Sequence, residues 1–233
     1  MNWLSFKTKF HPSWHVKIKP FIESKECDQI FKALKQKSKD GEKLSPTSYN
    51  TFKAFEMPLN NIKVVILGGN PYDGFIDGKP VANGKYLDCS IIEQKSYELM
   101  NFYRGLELEL FNGLTFNYDL NNYSTQYLQD QGVFMLTSAL TIEEHGDHSQ
   151  LWEPFTDFVM KIIADLDVPV LFLGEQAQRY TDRVDEDLIF TLDEPQGVTE
   201  TWDTKDVFQK IDTFLEEDKK HMAIMWLSVI NPF

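Results

Sequence analysis

Lys63-Val64-Val65-Ile66-Leu67-Gly68-Gly69-Asn70-Pro71-Tyr72-Asp73-Gly74 opens with an unbroken apolar run and ends in glycines and a proline. A strand with one wet face would alternate apolar and polar residues. An unbroken β-branched run is the pattern of a parallel strand buried on both faces. Similar runs recur at Val133-Phe134-Met135-Leu136 and Val168-Pro169-Val170-Leu171-Phe172-Leu173-Gly174, with a weaker one at Asp187-Leu188-Ile189-Phe190-Thr191-Leu192. Helical patterns at Ser96 to Glu109, Trp152 to Asp165 and Glu175 to Arg183 separate them. The alternation predicts an α/β three-layer sandwich, a central, mostly parallel four-stranded sheet flanked by helices. In such folds the loops at the carboxyl ends of the strands build the site. Here these are 68–77, 137–149, 174–178 and 193–198.

Upstream, Cys27 to Lys39 reads as a helix with Ile30, Phe31 and Leu34 on one side and lysines on the other. Gly41 and Pro46 punctuate a loop, and Tyr49 to Phe55 reads as a second short helix before Pro58. With 233 residues, 42% of them hydrophobic and 14% aromatic, the chain can bury one sizeable core. Residues 1–233 are therefore expected to form a single domain, with a helical N-terminal part over 1–60 and an α/β core over 61–233.

The opening Met1 to Lys7 has no long apolar run, so no signal peptide is expected. The apolar stretch Met222 to Ile230 is too short to cross a bilayer as a helix, and no membrane association is expected. Two cysteines, Cys27 and Cys89, suit a reducing, cytoplasmic setting. The formal net charge is −13, unevenly spread: residues 1–63 carry 12 Lys/Arg against 6 Asp/Glu, and the remainder carry 11 against 30. Phosphate binding needs cations, so the acidic part argues against a nucleic-acid grip.

Taken by residue type alone, 68–74 has the strongest local signal. Two glycines let backbone approach a ligand closely and the proline stiffens the turn, although an ordinary strand-ending turn has the same composition. His145, Asp147 and His148 lack a third His or Cys at ligand spacing, and no metal or cofactor is expected. Ser138 with a histidine and Asp147 lacks the nucleophile-elbow motif of a hydrolase. Gly68-Gly69-Asn70 is not a dinucleotide fingerprint, since no further glycine follows at the right spacing.

The ordered set of segments resembles the family-1 uracil-DNA glycosylases from about Trp14 to Trp226. The family's strand ends in Gly-Gln-Asp-Pro-Tyr-His-Gly, and Gly68 to Gly74 matches it in outline. Thr51 to Phe55 and Pro58-Leu59 resemble its Phe-Asn-Ala-Phe and Pro-Leu. Gln131 to Thr141 resembles Gln-Gly-Val-Leu-Leu-Leu-Asn-Thr-Val-Leu-Thr, and Trp152 to Asp157 resembles Trp-Glu-x-Phe-Thr-Asp. Phe172 to Gln178, Phe208 and Ile224-Met225-Trp226 follow the later segments.

The resemblance implies a base pocket at Gly69, Asn70, Pro71, Tyr72, Asp73, Leu87, Thr137 and Asp193, with altered chemistry. Asn70 stands where the family's aspartate positions or activates the attacking water. An amide can orient water but cannot take its proton. Leu87 replaces the phenylalanine that stacks on uracil, and Thr137 replaces the asparagine that reads the uracil edge. In Thr191 to Gly197 no histidine steadies the leaving base; Leu192 or Asp193 takes its place. Tyr72, which in the family helps exclude thymine, is retained. Losing a general base costs roughly 10²–10⁴ in rate, and losing an oxyanion stabiliser about 10²–10³.

Uracil excision is therefore expected to be absent or very slow, leaving a binding module linked to DNA replication or repair. If the chain is active, Asn70 is the catalytic candidate, on uracil or another modified base. The loops carry Asp73, Asp77, Asp88, Glu93, Glu143, Glu144, Asp147, Asp193 and Glu194 against Lys79, Lys85 and Lys95. Weak or no direct DNA binding and a protein partner in DNA metabolism are expected. An acidic face that mimics DNA toward a DNA-binding protein is the further alternative. Val198 is the candidate for the family's duplex-wedging residue.

Overall fold

The computed structural model describes residues 3–89, 97–111, 125–144, 146–196, 202–219 and 222–227. Its helices are α1 (Trp3–Phe6), α2 (His15–Ile22), α3 (Lys25–Lys39), α4 (Tyr97–Phe111), α5 (Thr125–Gln131), α6 (Ser149–Ala164), α7 (Gly174–Gln178) and α8 (Val207–Glu217). Its strands are β1 (Leu44–Ser45), β2 (Val64–Gly68), β3 (Phe75–Ile76), β4 (Lys79–Pro80), β5 (Val133–Thr137), β6 (Ile142–Glu143), β7 (Val170–Leu173) and β8 (Ile189–Leu192). Glu93, Lys95, His145, Val198 and the end of the Met222 to Ile230 stretch lie outside the described residues.

All four predicted runs become strands of one parallel sheet, ordered β5-β2-β7-β8. Side chains alternate across a strand, so each run feeds two cores. Val65, Leu67, Phe134, Leu136, Val170 and Phe172 enter one, with Trp152 and Phe155 from α6, Trp14 from the turn before α2 and Phe55 from the 3-10 turn Lys53–Glu56. Val64, Ile66, Val133, Met135, Leu171 and Leu173 enter the other, against Phe102, Phe208 and Trp226 beside α4 and α8. Every residue of β2, β5 and β7 is buried, which explains why those runs never alternate.

The helix read at Cys27 to Lys39 begins two residues earlier. Ser24 accepts a hydrogen bond from the Cys27 N–H at 3.1 Å, Glu26 and Asp28 sit in the first turn, and Lys37 and Lys39 in the last. Two readings need correction. Tyr49 to Phe55 is not an α-helix: its backbone N–H groups bond mainly three residues back and end in a 3-10 turn, Lys53–Glu56. That tighter winding buries Phe52, Ala54 and Phe55 together before Pro58 turns the chain. The segment from Glu175 likewise stops at Gln178, where Tyr180 turns inward to 6% exposure, and resumes as a 3-10 turn over Thr181–Arg183.

Two short ladders were not foreseen. β1 pairs antiparallel with β6, bringing Leu44 opposite Glu143, and β3 pairs with β4. The first ties the N-terminal layer to the rim of the sheet's carboxyl end. Among the described residues no helix is long and apolar enough to cross a membrane.

Candidate functional site

The loop after β2 is fixed by its own backbone. The Ser138 N–H is shared between the Gly68 and Gly69 carbonyls at 2.9 and 3.0 Å, and the Ser138 hydroxyl adds a bond to the Gly69 carbonyl at 3.2 Å. Ser45, fully buried on β1, donates to the Tyr72 carbonyl at 2.7 Å. Gly68 must lack a side chain, because an added Cβ would lie 1.9 Å from the Tyr86 ring. A Cβ on Gly69 would meet Gln176 Oε1 and Glu194 Oε1, each at 2.7 Å. The paired glycines thus serve close approach by side chains from three other segments.

These segments enclose a cavity of about 290 Å³. Asn70, Pro71, Tyr72 and Asp73 form one side, with Lys85, Tyr86 and Leu87 opposite. Glu98 from the first turn of α4, Ile142 from β6, Gln176 from α7 and Glu194 and Gln196 after β8 complete it. The strand-end loops named by the sequence therefore converge.

Asn70 is held by its amide oxygen, which accepts from Gln176 Nε2 at 3.2 Å. Its side chain also hydrogen bonds to Asp147. Burial pushes the Asp147 carboxyl up, but bonds from the Ser149 backbone and hydroxyl, both at 2.8 Å, and from Asn70 outweigh it and lower its pKa. Leu87 is 4% exposed and takes a left-handed φ of +58°, a strained conformation for a γ-branched residue. Thr137 is buried at the end of β5 opposite Gly68, and among the described residues the cavity is lined by Tyr86 and Leu87 rather than by it.

The carboxylate over the β2 loop is Glu194, not Asp193. Glu194 Oε1 accepts the Gly69 N–H at 3.3 Å and its Oε2 accepts from Gln196 Nε2 at 2.6 Å. Asp193 borders a neighbouring hollow with Gly174 and Glu175, and its carbonyl accepts the Trp202 indole N–H at 2.9 Å. That bond ties the turn to a side chain nine residues further on.

Ser138 and His148 are structural. The Ser138 carbonyl accepts the Thr156 hydroxyl at 2.6 Å. His148, 1% exposed, has Nδ1 at 3.0 Å from the Thr141 hydroxyl, which also accepts the Trp152 indole at 2.7 Å. Burial is the main cause that holds its imidazole below the ordinary pKa. Among the described residues no group of three His, Cys, Asp or Glu is placed to hold a metal ion.

The acidic rim is less bare than its sequence. Lys37 pairs with Glu143 at 2.7 Å, Lys43 with Glu144 at 3.6 Å, and Lys85 with Asp88 at 3.2 Å. Asp73, Asp77, Asp147, Asp193 and Glu194 have no ion-pair partner among the described residues.

A uracil-DNA glycosylase of Streptococcus pyogenes serotype M49 (strain NZ131) is 33% identical to this chain over 169 residues, covering 70% of this chain and 71% of that protein. The chain belongs to the uracil-DNA glycosylase family. The corresponding glycosylase of S. pyogenes serotype M3 (strain SSI-1) matches over the same shares at the same identity. No family model matches the chain. Among solved structures, the mimivirus uracil-DNA glycosylase aligns with a TM-score of 0.79 at 23% identity, over 97% of this chain and 89% of that one. A variant of mimivirus UNG in complex with UGI aligns at 0.80 and 24%, over 94% and 90%.

Within this glycosylase framework, Asn70, Pro71, Tyr72, Asp73 and Leu87 of the expected pocket meet at one cavity, whereas Gly69, Thr137 and Asp193 are not part of its lining. Tyr86, Glu98, Gln176, Glu194 and Gln196 line it as well and were not among the expected pocket residues. Gln176 lay in a named strand-end loop and Tyr86 beside Leu87, so both had a signal. Glu98 had none, because a helix start gives no sign of which loop it faces.

Proposed function

We propose that this member of the uracil-DNA glycosylase family excises uracil very slowly or not at all, and works as a binding module in DNA repair or replication. The observation that carries this reading is Glu194. Its carboxylate takes the Gly69 N–H, the backbone donor at the mouth of the catalytic loop, at 3.3 Å. A uracil leaving as an anion would meet negative charge there instead of a free donor. Asn70, the side chain at the water-positioning place, has no basic atom to accept a proton. Leu87 offers no aromatic face for stacking.

DNA engagement is weakened by unpaired carboxylates at Asp73, Asp77 and Asp147, each opposing the counterion release that phosphate contacts provide. A protein partner fits such a rim better than a phosphate backbone. The test is an excision assay on single-stranded and duplex uracil oligonucleotides, beside a salt-dependent DNA-binding titration. Clear turnover with tight binding at physiological ionic strength removes this reading.

One observation favours an active alternative. Asn70 is fastened by Gln176 and lies beside the Asp147 carboxylate, so a water held by the amide would have an anionic neighbour. On this reading a modified base is released with Asn70 orienting the water. A panel of damaged-base oligonucleotides tests it, and activity that survives Asn70→Ala unchanged removes it.

A further inference from the structure

The cavity beside Asn70 has a charge pattern that uracil does not need. Three carboxylates border it, Asp73, Glu98 and Glu194, against a single lysine. That lysine is spent: Lys85 is 5% exposed, and its ammonium is held by Asp88 at 3.2 Å, Gln126 at 3.2 Å and Gln129 at 3.3 Å. The Glu98 carboxylate, by contrast, has no hydrogen-bond or ion-pair partner among the described residues. An acceptor left free at a cavity wall is open to a donor that enters.

A second, independent observation comes from Tyr86. Its side chain is 5% exposed and borders the cavity, and among the described residues its hydroxyl has no hydrogen-bond partner. Burial foremost, then Glu194, Tyr72 and Glu98, push its pKa well above the ordinary phenol value, so the hydroxyl keeps its proton. A hydroxyl that opens on the cavity without a protein partner among the described residues is free to bond an occupant. At about 290 Å³ the space is at the small end of ligand pockets, matched to one heterocycle. Tyr72 and Tyr86 supply aromatic walls, which favour a cationic ring further.

We propose that this cavity binds a planar heterocycle carrying positive charge, of the kind an N-methylated purine supplies, in preference to the neutral ring of uracil. The inference deepens the reading of the site as one that binds rather than excises. Glu98 and Glu194 face the cation or its polarised N–H groups, and the Tyr86 hydroxyl bonds the ring edge.

The experiment is calorimetric titration of the full chain with 7-methylguanosine and 1-methyladenosine, and with guanosine, adenosine and uridine as neutral controls. The methylated nucleosides are expected to bind at least roughly tenfold more tightly than their parents, the scale of one charge-assisted hydrogen bond. Glu98→Gln and Glu194→Gln are each expected to remove about that factor for the methylated ligands and to leave the neutral ones unchanged. Circular dichroism and urea midpoints establish that both variants fold. Equal affinity for methylated and parent nucleosides, tighter binding of uridine, no binding of any nucleoside, or a preference indifferent to both substitutions would each overturn the proposal. The uracil-excision assay is separate. Turnover there with a retained cation preference removes the non-excising reading alone, and lost preference without turnover removes this inference alone.

Discussion

On the proposed non-excising reading, replacing Asn70 by Asp and Glu194 by Gln together should raise uracil release to a measurable rate. The first change supplies a group that can take the water proton, an effect of roughly 10²–10⁴ in rate. The second acts through charge. Glu194 Oε1 lies 3.3 Å from the Gly69 nitrogen, so an anionic base oxygen competing for the same N–H would come within about 4 Å of it. Two unit charges at about 4 Å in an effective dielectric of about 20 repel by about 4 kcal/mol. Glu194 is half-buried, and solvent screening reduces this to about 2 kcal/mol, or roughly thirtyfold in rate. Groups that act together are not additive, so a gain of at least about a hundredfold is the expectation. Single-turnover release from a single-stranded uracil oligonucleotide measures it, with both single variants completing the cycle. A folded double variant no faster than the wild-type chain would refute the assignment of the defect to these two positions.

Three stability predictions follow from the packing and the buried polar network. Phe55→Ala, which empties a fully buried site touching Phe10, Trp14, Phe134 and Phe155, should cost about 3–5 kcal/mol in urea unfolding. Thr141→Val should cost about 1–3 kcal/mol, because the buried Trp152 indole N–H loses its acceptor. Asp212 is held at about 6 against an ordinary 3.8, chiefly by burial, while it accepts the Ile224 N–H and the Trp226 indole N–H, both at 3.0 Å. The fold thus binds its proton more tightly than the unfolded chain does. The stabilisation is complete below about pH 4 and is lost as the pH rises through about 6. Unfolding free energies at pH 4.5 and 7.5 should therefore converge in Asp212→Asn relative to wild type, and an unchanged pH slope would count against it.

The sheet was legible because its strands are buried on both faces: short continuous apolar runs, β-branched and bounded by Gly or Pro, are set apart from a buried helix segment by length and flanks rather than by period. The β1–β6 ladder was not, since two residues are too few for a period. The rim charge was legible only as a count: Lys37 meets Glu143 across 106 positions, a pairing made by the fold alone. At the candidate site, Asn70 to Asp73 follow a strand end directly and line the cavity that the strand-end rule points to. After β8, Glu194 lines that cavity while Asp193 borders the neighbouring hollow, a difference of one residue that the composition of the turn does not reveal.

The parts that hold the site and the parts that would perform the chemistry are separable in this molecule. The loop after β2 is fixed through its own carbonyls, which accept the Ser138 N–H and the Ser138 and Ser45 hydroxyls. None of Asn70, Leu87, Thr137 or Glu194 is needed for those bonds. The frame's bonds do not dictate which side chains line the cavity, so fold likeness at a TM-score near 0.8 does not by itself specify the pocket's chemistry. Glu98, Glu194 and the Tyr86 hydroxyl leave the cavity rich in hydrogen-bonding oxygens. Glu98 and the Tyr86 hydroxyl border the cavity without a protein partner among the described residues, so an occupant of complementary hydrogen-bonding pattern would pair with them rather than compete with the frame.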